Sequence, residues 1–554
     1  MSRPWLFTLL GIGVLCASCS RRNFTEDVKM RDGVNLSTDV YLPKGDGPFP
    51  VVVYRTPYGR RAHYDDALVF RESGIAVVAQ SLRGRSTSGG VDGMFTTDGD
   101  GELKDGYDTM AWIVKQDWSN GRIGTSGASA LGIAQYMQAS ANPPGLVMMN
   151  PEFGTPNLYS DVLFQGGVYR NSLVHNWLEG QDNLKFEGEI EDHPFEDAFW
   201  ESAQTADQYG EAHAAGFHVG GWFDIFQNGT IEGFRGYQYE GGDGAAGNQK
   251  LVMGPWTHVT RKRDVGELTF PKGADKPPYG DAFDVMLDHY LKVDIEGIRD
   301  SPDDIPNVQY YVMGDVDDKS APGNEWRTDD DWPPEGAPVR LHLHSNGDLD
   351  EACPSSAAET TDYAHKPSDP TPTICGANLK IKAGPCDQRD IESREDVVVF
   401  DTGELSAPME VTGRVTAHLF VRINRPDTDL MVRMTDVYPD GRSMLITDGA
   451  LRLASRGTTT ELESLEIGEV VEGVVDLLST SIVINTGHRL RISVTSSNWP
   501  RFAVNKNNAL EYPQSVESSG GPVTVRIHHD DEYASYLEVP DPTRTASSIT
   551  TCGG

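Results

Sequence analysis

Two serines, Ser126 and Ser129, stand in the small-residue run Gly121-Arg-Ile-Gly-Thr-Ser-Gly-Ala-Ser-Ala-Leu-Gly132. Such a run suits a sharp turn from a strand into a helix that holds up a nucleophilic hydroxyl, because bulk beside the serine would clash with the strained backbone. Ser129 is the better candidate. Gly127 lies two residues before it, whereas choosing Ser126 would put the turn inside the preceding strand. The match to G-x-S-x-G is imperfect, since Leu131 occupies the second glycine position and the glycine falls at 132. A plain strand-to-helix turn has the same composition, so the run gains meaning only if partner groups stand further along the chain.

A serine attacks a carbonyl only when a base takes its proton, and the base is effective when an acid fixes its tautomer. In α/β-hydrolases the order along the chain is Ser, acid, His, with the last two in loops after later strands. Asp224 follows the strand-like Gly216–Trp222, and His258 follows Leu251–Gly254. Taken singly, such an Asp is usually a turn or cap residue and such a His a packed one. Together and in order they predict that His258 accepts the Ser129 proton and that Asp224 orients its ring. The oxyanion needs donors of its own. The backbone N–H of Ala130 supplies one by position, and Tyr58, after Pro57, offers a phenolic hydroxyl unless its ring simply packs under the loop.

These residues need a sheet to present them. Val34–Leu42, Phe49–Tyr54, Gly74–Gln80 and the segment from Ile123 read as strands, while Asp105–Gln116 and Ile133–Ala141 carry helical periodicity. The alternation predicts an α/β layer with a mostly parallel sheet over residues 23–148, resuming over 212–298 and closing with the helix Phe283–Leu291. Between them, 149–211 read as a helical cap in which Leu173, Trp177, Phe195, Phe199 and Trp200 sit among acids. Asp300–Pro306 mark a boundary. From 307 to 554 short alternating strands, including Val339–His344, Val415–Ile423, Asp429–Val437, Ile482–Val494 and Val523–His528, predict a sandwich or jelly roll.

The chain's 554 residues suffice for two or three domains. With 83 acidic against 47 basic residues the formal charge is −36, which repels nucleic acid and anionic lipid. The acids are dispersed, as in a solvated surface. Residues 1–22 read as an export signal: Arg3, an apolar run from Trp5 to Ala17, then Ala17-Ser18-Cys19. That ending is similar to a bacterial lipobox in which Cys19 would be lipidated. With Cys16 in the usual aliphatic position, cleavage without a lipid stays open, and so does the choice among periplasm, outer membrane and medium. No other segment has the ~20 apolar residues of a membrane span. Of the remaining cysteines, Cys353, Cys375 and Cys386 cluster and Cys552 stands apart. An even number in an exported chain predicts disulfides, one of them within the cluster, with three connectivities open.

Further motifs carry a resemblance. Val53-Tyr-Arg-Thr-Pro-Tyr-Gly59, Arg83-Gly-Arg85, Asp105-Gly-Tyr-Asp108, Trp118-Ser-Asn-Gly-Arg-Ile-Gly124, Gly221-Trp-Phe-Asp224 and Gly254-Pro-Trp-Thr-His258 resemble, in order, the cocaine esterase and X-prolyl dipeptidyl-peptidase family of serine hydrolases. Asp401-Thr-Gly403, Pro426-Asp-Thr-Asp429, Asp436-Val-Tyr-Pro-Asp-Gly441 and Ser496-Ser-Asn-Trp-Pro-Arg-Phe502 resemble its C-terminal domain. The resemblance implies an α/β-hydrolase domain with an inserted helical cap and a C-terminal all-β jelly roll. It implies Ser129, Asp224 and His258 as the triad, Tyr58 and the Ala130 N–H as oxyanion donors, and Phe226 as an aromatic of the acyl pocket in the esterase branch. One departure is Ala130, where the family usually has Tyr. Another is Leu131, where the branch acting on α-amino acid esters carries an acid.

Three functions compete. The first is hydrolysis of an ester or acyl amide through an acyl-serine. The second is exopeptidase action on X-Pro or other α-amino-acyl substrates, which needs carboxylates for the substrate ammonium. Glu179, Asp182, Glu187, Glu189, Glu191 and Asp192 of the cap are candidates for that role. The third is a degenerate surface protein whose jelly roll binds glycan. No cofactor or metal is expected. Asp98-Gly-Asp-Gly-Glu102 starts like a calcium loop but has Leu103 where Gly is required, so a solvated turn is expected. His342-x-His344 and His528-His529-Asp530-Asp531 are expected to be surface residues. The expected partner is a small ester, amide or short peptide; no oligomeric state follows.

Overall fold

The computed structural model describes residues 23–509, 520–545 and Cys552. The expected signal, with Cys16 and Cys19, lies outside the described residues. No described helix is long and apolar enough to cross a membrane.

Ten strands form the first sheet: β1 (Asn23–Lys29), β2 (Asn35–Tyr41), β3 (Phe49–Thr56), β4 (Ala76–Ser81), β5 (Ser119–Ala128), β6 (Leu146–Glu152), β7 (Ala215–Phe223), β8 (Gln249–Thr257), β9 (Val308–Val312) and β10 (Glu325–Asp329). Their order is β1-β2-β4-β3-β5-β6-β7-β8-β9-β10. The run from β4 to β9 is parallel. Its strands are buried on both faces, and so they read as continuous apolar runs, Val51–Val53 and Ala76–Ala79 among them. The helices Asp105–Ile113, Ala130–Ser140, Gln227–Glu240 and Ala282–Leu291 cover the faces.

Sequence periodicity passed over β1, whose side chains are nearly all exposed and which extends the sheet as an antiparallel edge. The sheet also runs beyond the boundary expected at 307. β9 pairs in parallel with β8, and β10 turns back along β9. Val308–Val312, fully buried, supplies the apolar surface that closes this edge. The second unit's own strands therefore begin at Ala337.

That unit is all antiparallel, a seven-stranded sheet facing a four-stranded one. The long strand Met409–Ile423 pairs with Val470–Ile484 over most of its length, and Asp429–Val437 lies between Ser443–Arg452 and Arg489–Thr495. Alternate side chains of both sheets, such as Leu419, Val421, Val432, Met434, Leu477 and Ile492, fill one core. The single strand expected over Ile482–Val494 is two strands, because the chain reverses through Asn485–His488 with Gly487 at φ 82°. Cys375–Cys386 is a disulfide within the cysteine cluster, and Cys353 pairs with Cys552.

Asp98 is not a solvated turn residue. It is 1% exposed and its carboxylate takes the guanidinium of buried Arg55, at the end of β3. Burial nevertheless pushes its pKa up to about 6. The histidines expected at the surface are also largely buried: His342, His528 and His529 lie in strand or sheet-end positions. His342 Nε2 lies 3.0 Å from the Cys552 sulfur. His344 is less enclosed and pairs with Asp350 at 3.1 Å.

Candidate active site

β5 ends in an abrupt turn. Ser129 has φ 63° and ψ −124°, a left-handed conformation that a non-glycine residue adopts at a cost, and the helix Ala130–Ser140 begins immediately after it. Gly127 and Gly132 make the turn feasible. A Cβ on Gly127 would stand 2.6 Å from the Leu131 side chain, and one on Gly132 would stand 2.8 Å from the Glu152 carbonyl oxygen. The close helix-to-strand approach therefore falls at 132 rather than 131, and Leu131 is free to bury itself in the core beneath the turn. Ser126 stays inside β5, buried, where its hydroxyl accepts from Asn150 Nδ2 at 3.3 Å.

The three separated residues meet. His258 Nε2 lies 2.7 Å from Ser129 Oγ, and His258 Nδ1 lies 2.5 Å from Asp224 Oδ1. Each stands at or just beyond the C-terminal end of its strand, β5, β7 and β8, which is where an open parallel sheet presents its loops. Asp224 is fully buried, and its second oxygen accepts the Phe226 backbone N–H at 3.0 Å. The rings of Phe153 and Phe226 meet the His258 ring edge to face, with centroids 6.1 and 5.5 Å away. These contacts leave the imidazole little freedom to turn away from the serine.

Two distant elements brace the loop that carries Asp224. Arg170, buried in the cap, donates to the Ile225 carbonyl at 2.9 Å and to the Asp161 carbonyl. Burial draws its pKa down to about 10. From the other side, Gln227 exchanges hydrogen bonds with the backbone of Ser479 in the second unit. Neither contact was legible in the sequence, because each joins residues brought together only by tertiary packing.

Of the two expected oxyanion donors, the Ala130 N–H belongs to the first turn of its helix, where no helical carbonyl can accept it. Tyr58 is 47% exposed rather than packed under its loop, and its hydroxyl oxygen accepts the indole N–H of Trp177 at 3.2 Å.

The pocket above Ser129 is apolar. Its walls include Met94, Phe95, Ile133, Leu173, Trp177 and Phe226, and among the described residues no acidic one lines it. The cap acids do not reach this pocket: Glu179, Asp182, Glu189, Glu191 and Asp192 are exposed, and Glu187 pairs with His175 at 2.8 Å. One wall comes from the second unit. Leu379 lies in the loop closed by Cys375–Cys386, and the same loop is held to the hydrolase side where the Glu267 N–H donates to the Pro385 carbonyl at 2.8 Å. Nothing in the pattern around Leu379 signals a site residue.

Known proteins match this chain over nearly its whole length. Residues 32–185 and 171–260 match the family model for X-Pro dipeptidyl-peptidase (S15 family), and residues 301–538 match that for the X-Pro dipeptidyl-peptidase C-terminal non-catalytic domain. Cocaine esterase of Rhodococcus sp. is 29% identical, covering 93% of this chain and 97% of its own. A protein described as a putative serine esterase of Mycobacterium bovis is 24% identical over 93% and 94%. Among solved structures, an aminopeptidase from a marine sediment Thaumarchaeota archaeon superposes with a TM-score of 0.80 at 25% identity, covering 94% of this chain and 96% of its own. An α-amino acid ester hydrolase superposes with 0.79 at 23% identity over 98% and 100%, a likeness of fold. The protein is a serine hydrolase with an α/β-hydrolase sheet and a C-terminal jelly roll. It belongs to the cocaine esterase and X-prolyl dipeptidyl-peptidase family.

Proposed function

We propose that the protein hydrolyses esters or acyl amides of an uncharged, apolar acyl group through a covalent acyl-Ser129 intermediate. The observation that carries this reading is the hydrogen-bonded chain Ser129–His258–Asp224 at the floor of a pocket with no acidic wall. In the forward step Ser129 Oγ attacks the acyl carbon as His258 Nε2 takes its proton. The oxyanion accepts from the Ala130 N–H and the Tyr58 hydroxyl, and the leaving alcohol or amine departs with the proton from Nε2. Water then repeats the sequence, and the acid product leaves.

The same pocket decides between neutral and α-amino-acyl substrates. A substrate ammonium would lose its hydration against apolar side chains and meet no carboxylate. Matched pairs test this: p-nitrophenyl butyrate against its α-amino derivative, with Gly-Pro-p-nitroanilide as the X-Pro probe. The neutral ester is expected to have a kcat/KM at least ~10-fold higher. Equal or better turnover of the ammonium-bearing substrates would transfer the protein to the exopeptidase reading, which the family description and the archaeal aminopeptidase favour.

Tyr58→Phe removes one oxyanion donor together with the acceptor of the Trp177 indole N–H. Its kcat is expected to fall ~10²–10³-fold with KM nearly unchanged; an unchanged kcat would remove Tyr58 from the reaction. We also propose that the chain is exported, a reading supported by its two disulfides and the signal-like N-terminus. Intact-mass analysis of protein from the native cell tests it. A mature chain beginning at or near Cys19, with or without lipid, is expected, and an unprocessed Met1 terminus would refute it.

A further inference from the structure

The cap helix Asn171–Gly180 brings Trp177 to the mouth of the pocket, where the indole ring stacks on Phe95 with centroids 6.1 Å apart. Its N–H points at the Tyr58 hydroxyl oxygen, 3.2 Å away. An indole nitrogen can only donate, so in this pair the Tyr58 oxygen is the acceptor. The single phenolic proton is therefore not spent on Trp177 and remains available to a third group. A tyrosine 47% exposed would otherwise turn its hydroxyl among several water partners.

A second observation joins the same two elements. Arg85, in the Arg-Gly-Arg segment whose role the reaction leaves unexplained, donates through Nε to the carbonyl of Pro57, the residue before Tyr58, at 3.2 Å. Its other nitrogens donate to the backbone carbonyl and side-chain oxygen of Gln181, at 2.6 and 2.7 Å. Gln181 is the residue that ends the Trp177 helix. One guanidinium thus fastens the Tyr58 loop to the cap helix, and its planar fork holds both in a fixed relation.

We propose that Trp177 is a positioning residue of the oxyanion hole: its indole N–H holds the Tyr58 hydroxyl with the proton directed at the reacting carbonyl oxygen, and Arg85 keeps helix and loop in register for this. Accepting a hydrogen bond also polarises the phenol, so that its O–H becomes a stronger donor. The cap is then part of the catalytic apparatus as well as a cover for the pocket. This rests on the reading of Tyr58 as an oxyanion donor.

The test is a double-mutant cycle on the full chain, read as kcat for p-nitrophenyl butyrate and as the rate constant of labelling by a fluorophosphonate. Trp177→Phe is expected to lower both rates ~3–10-fold, the value of one net hydrogen bond, and to have no further effect in a Tyr58→Phe background. Benzothienylalanine at position 177 keeps the shape of the indole without its N–H and is expected to reproduce the loss, which separates the hydrogen bond from packing. Arg85→Lys, which loses the fork, is expected to act in the same direction and likewise to vanish in the Tyr58→Phe background. If Tyr58→Phe is impaired while the benzothienyl variant keeps full kcat, or if the losses simply multiply, the positioning role is refuted. If Tyr58→Phe itself is unimpaired, the parent reading fails first.

Discussion

Ser129→Ala is expected to abolish turnover and fluorophosphonate labelling, with a fall in kcat of at least ~10⁴-fold, while Ser126→Ala keeps most activity. The contrast comes from where the two hydroxyls stand. Ser129 occupies a left-handed turn at the tip of a strand and faces His258 at 2.7 Å; Ser126 is three residues back inside the strand, bound to Asn150. Removing Oγ from Ser129 leaves the Ala130 N–H, the Tyr58 hydroxyl and the pocket in place, so a small residual rate over water is expected. The fold should persist, because alanine fits wherever the serine backbone does and the turn is secured by its neighbours Gly127 and Gly132. Labelling of wild type, Ser129→Ala and Ser126→Ala side by side reads the outcome directly. Retained labelling in Ser129→Ala would move the nucleophile elsewhere. A well-folded wild type that takes no label would favour the binding-protein reading.

Asp224→Asn is expected to lower kcat by ~10⁴-fold while leaving substrate binding and the unfolding temperature nearly unchanged. One backbone group decides this. Asp224 Oδ2 accepts the Phe226 N–H and Oδ1 faces His258 Nδ1. An asparagine here must give its single oxygen to the Phe226 N–H, which places its NH₂ against Nδ1. Nδ1 can then only accept, the ring proton moves to Nε2, and the nitrogen facing Ser129 can no longer take its proton. Steady-state kinetics with one good ester substrate checks this. A loss of less than tenfold would mean that the imidazole is oriented by other contacts, the Phe153 and Phe226 rings being the nearest.

How much of this could be read in the sequence depends on the range of the interaction concerned. The meeting of Ser129, Asp224 and His258 was legible because each follows a buried parallel strand whose apolar run has clear ends, and a parallel sheet brings such ends to one side. The imperfect glycine motif was harder, since only the packing of Gly132 against Glu152 and Gly154 explains why the glycine falls one place late. Local pattern failed where partners are distant. Asp98 looked like a solvated acid because the sequence does not reveal Arg55 beneath it, and His342 and His529 looked superficial because strand alternation does not say which face a second sheet will cover. The strand β1 was missed for the opposite reason: an exposed edge strand carries almost no apolar signal. Arg170, Gln227 and Leu379 reach the site through partners far away along the chain and leave no local trace.

The short loop between Cys375 and Cys386 gives the protein a way to change its diet without touching its chemistry. Leu379 sits in a segment closed by a covalent bond and carried by a different unit from the strands that present Ser129, Asp224 and His258. Sequence drift inside that ring can reshape one wall of the pocket while Ser129, Asp224, His258 and Tyr58, all carried by the other unit, stay as they are. The segment carrying this wall lies in the stretch that matches the C-terminal non-catalytic domain, so it can vary without any change in the strands that carry Ser129, Asp224 and His258. For the same reason, a laboratory seeking altered acyl preference has in residues 376–385 a compact target for randomisation, one whose boundaries the fold itself has drawn.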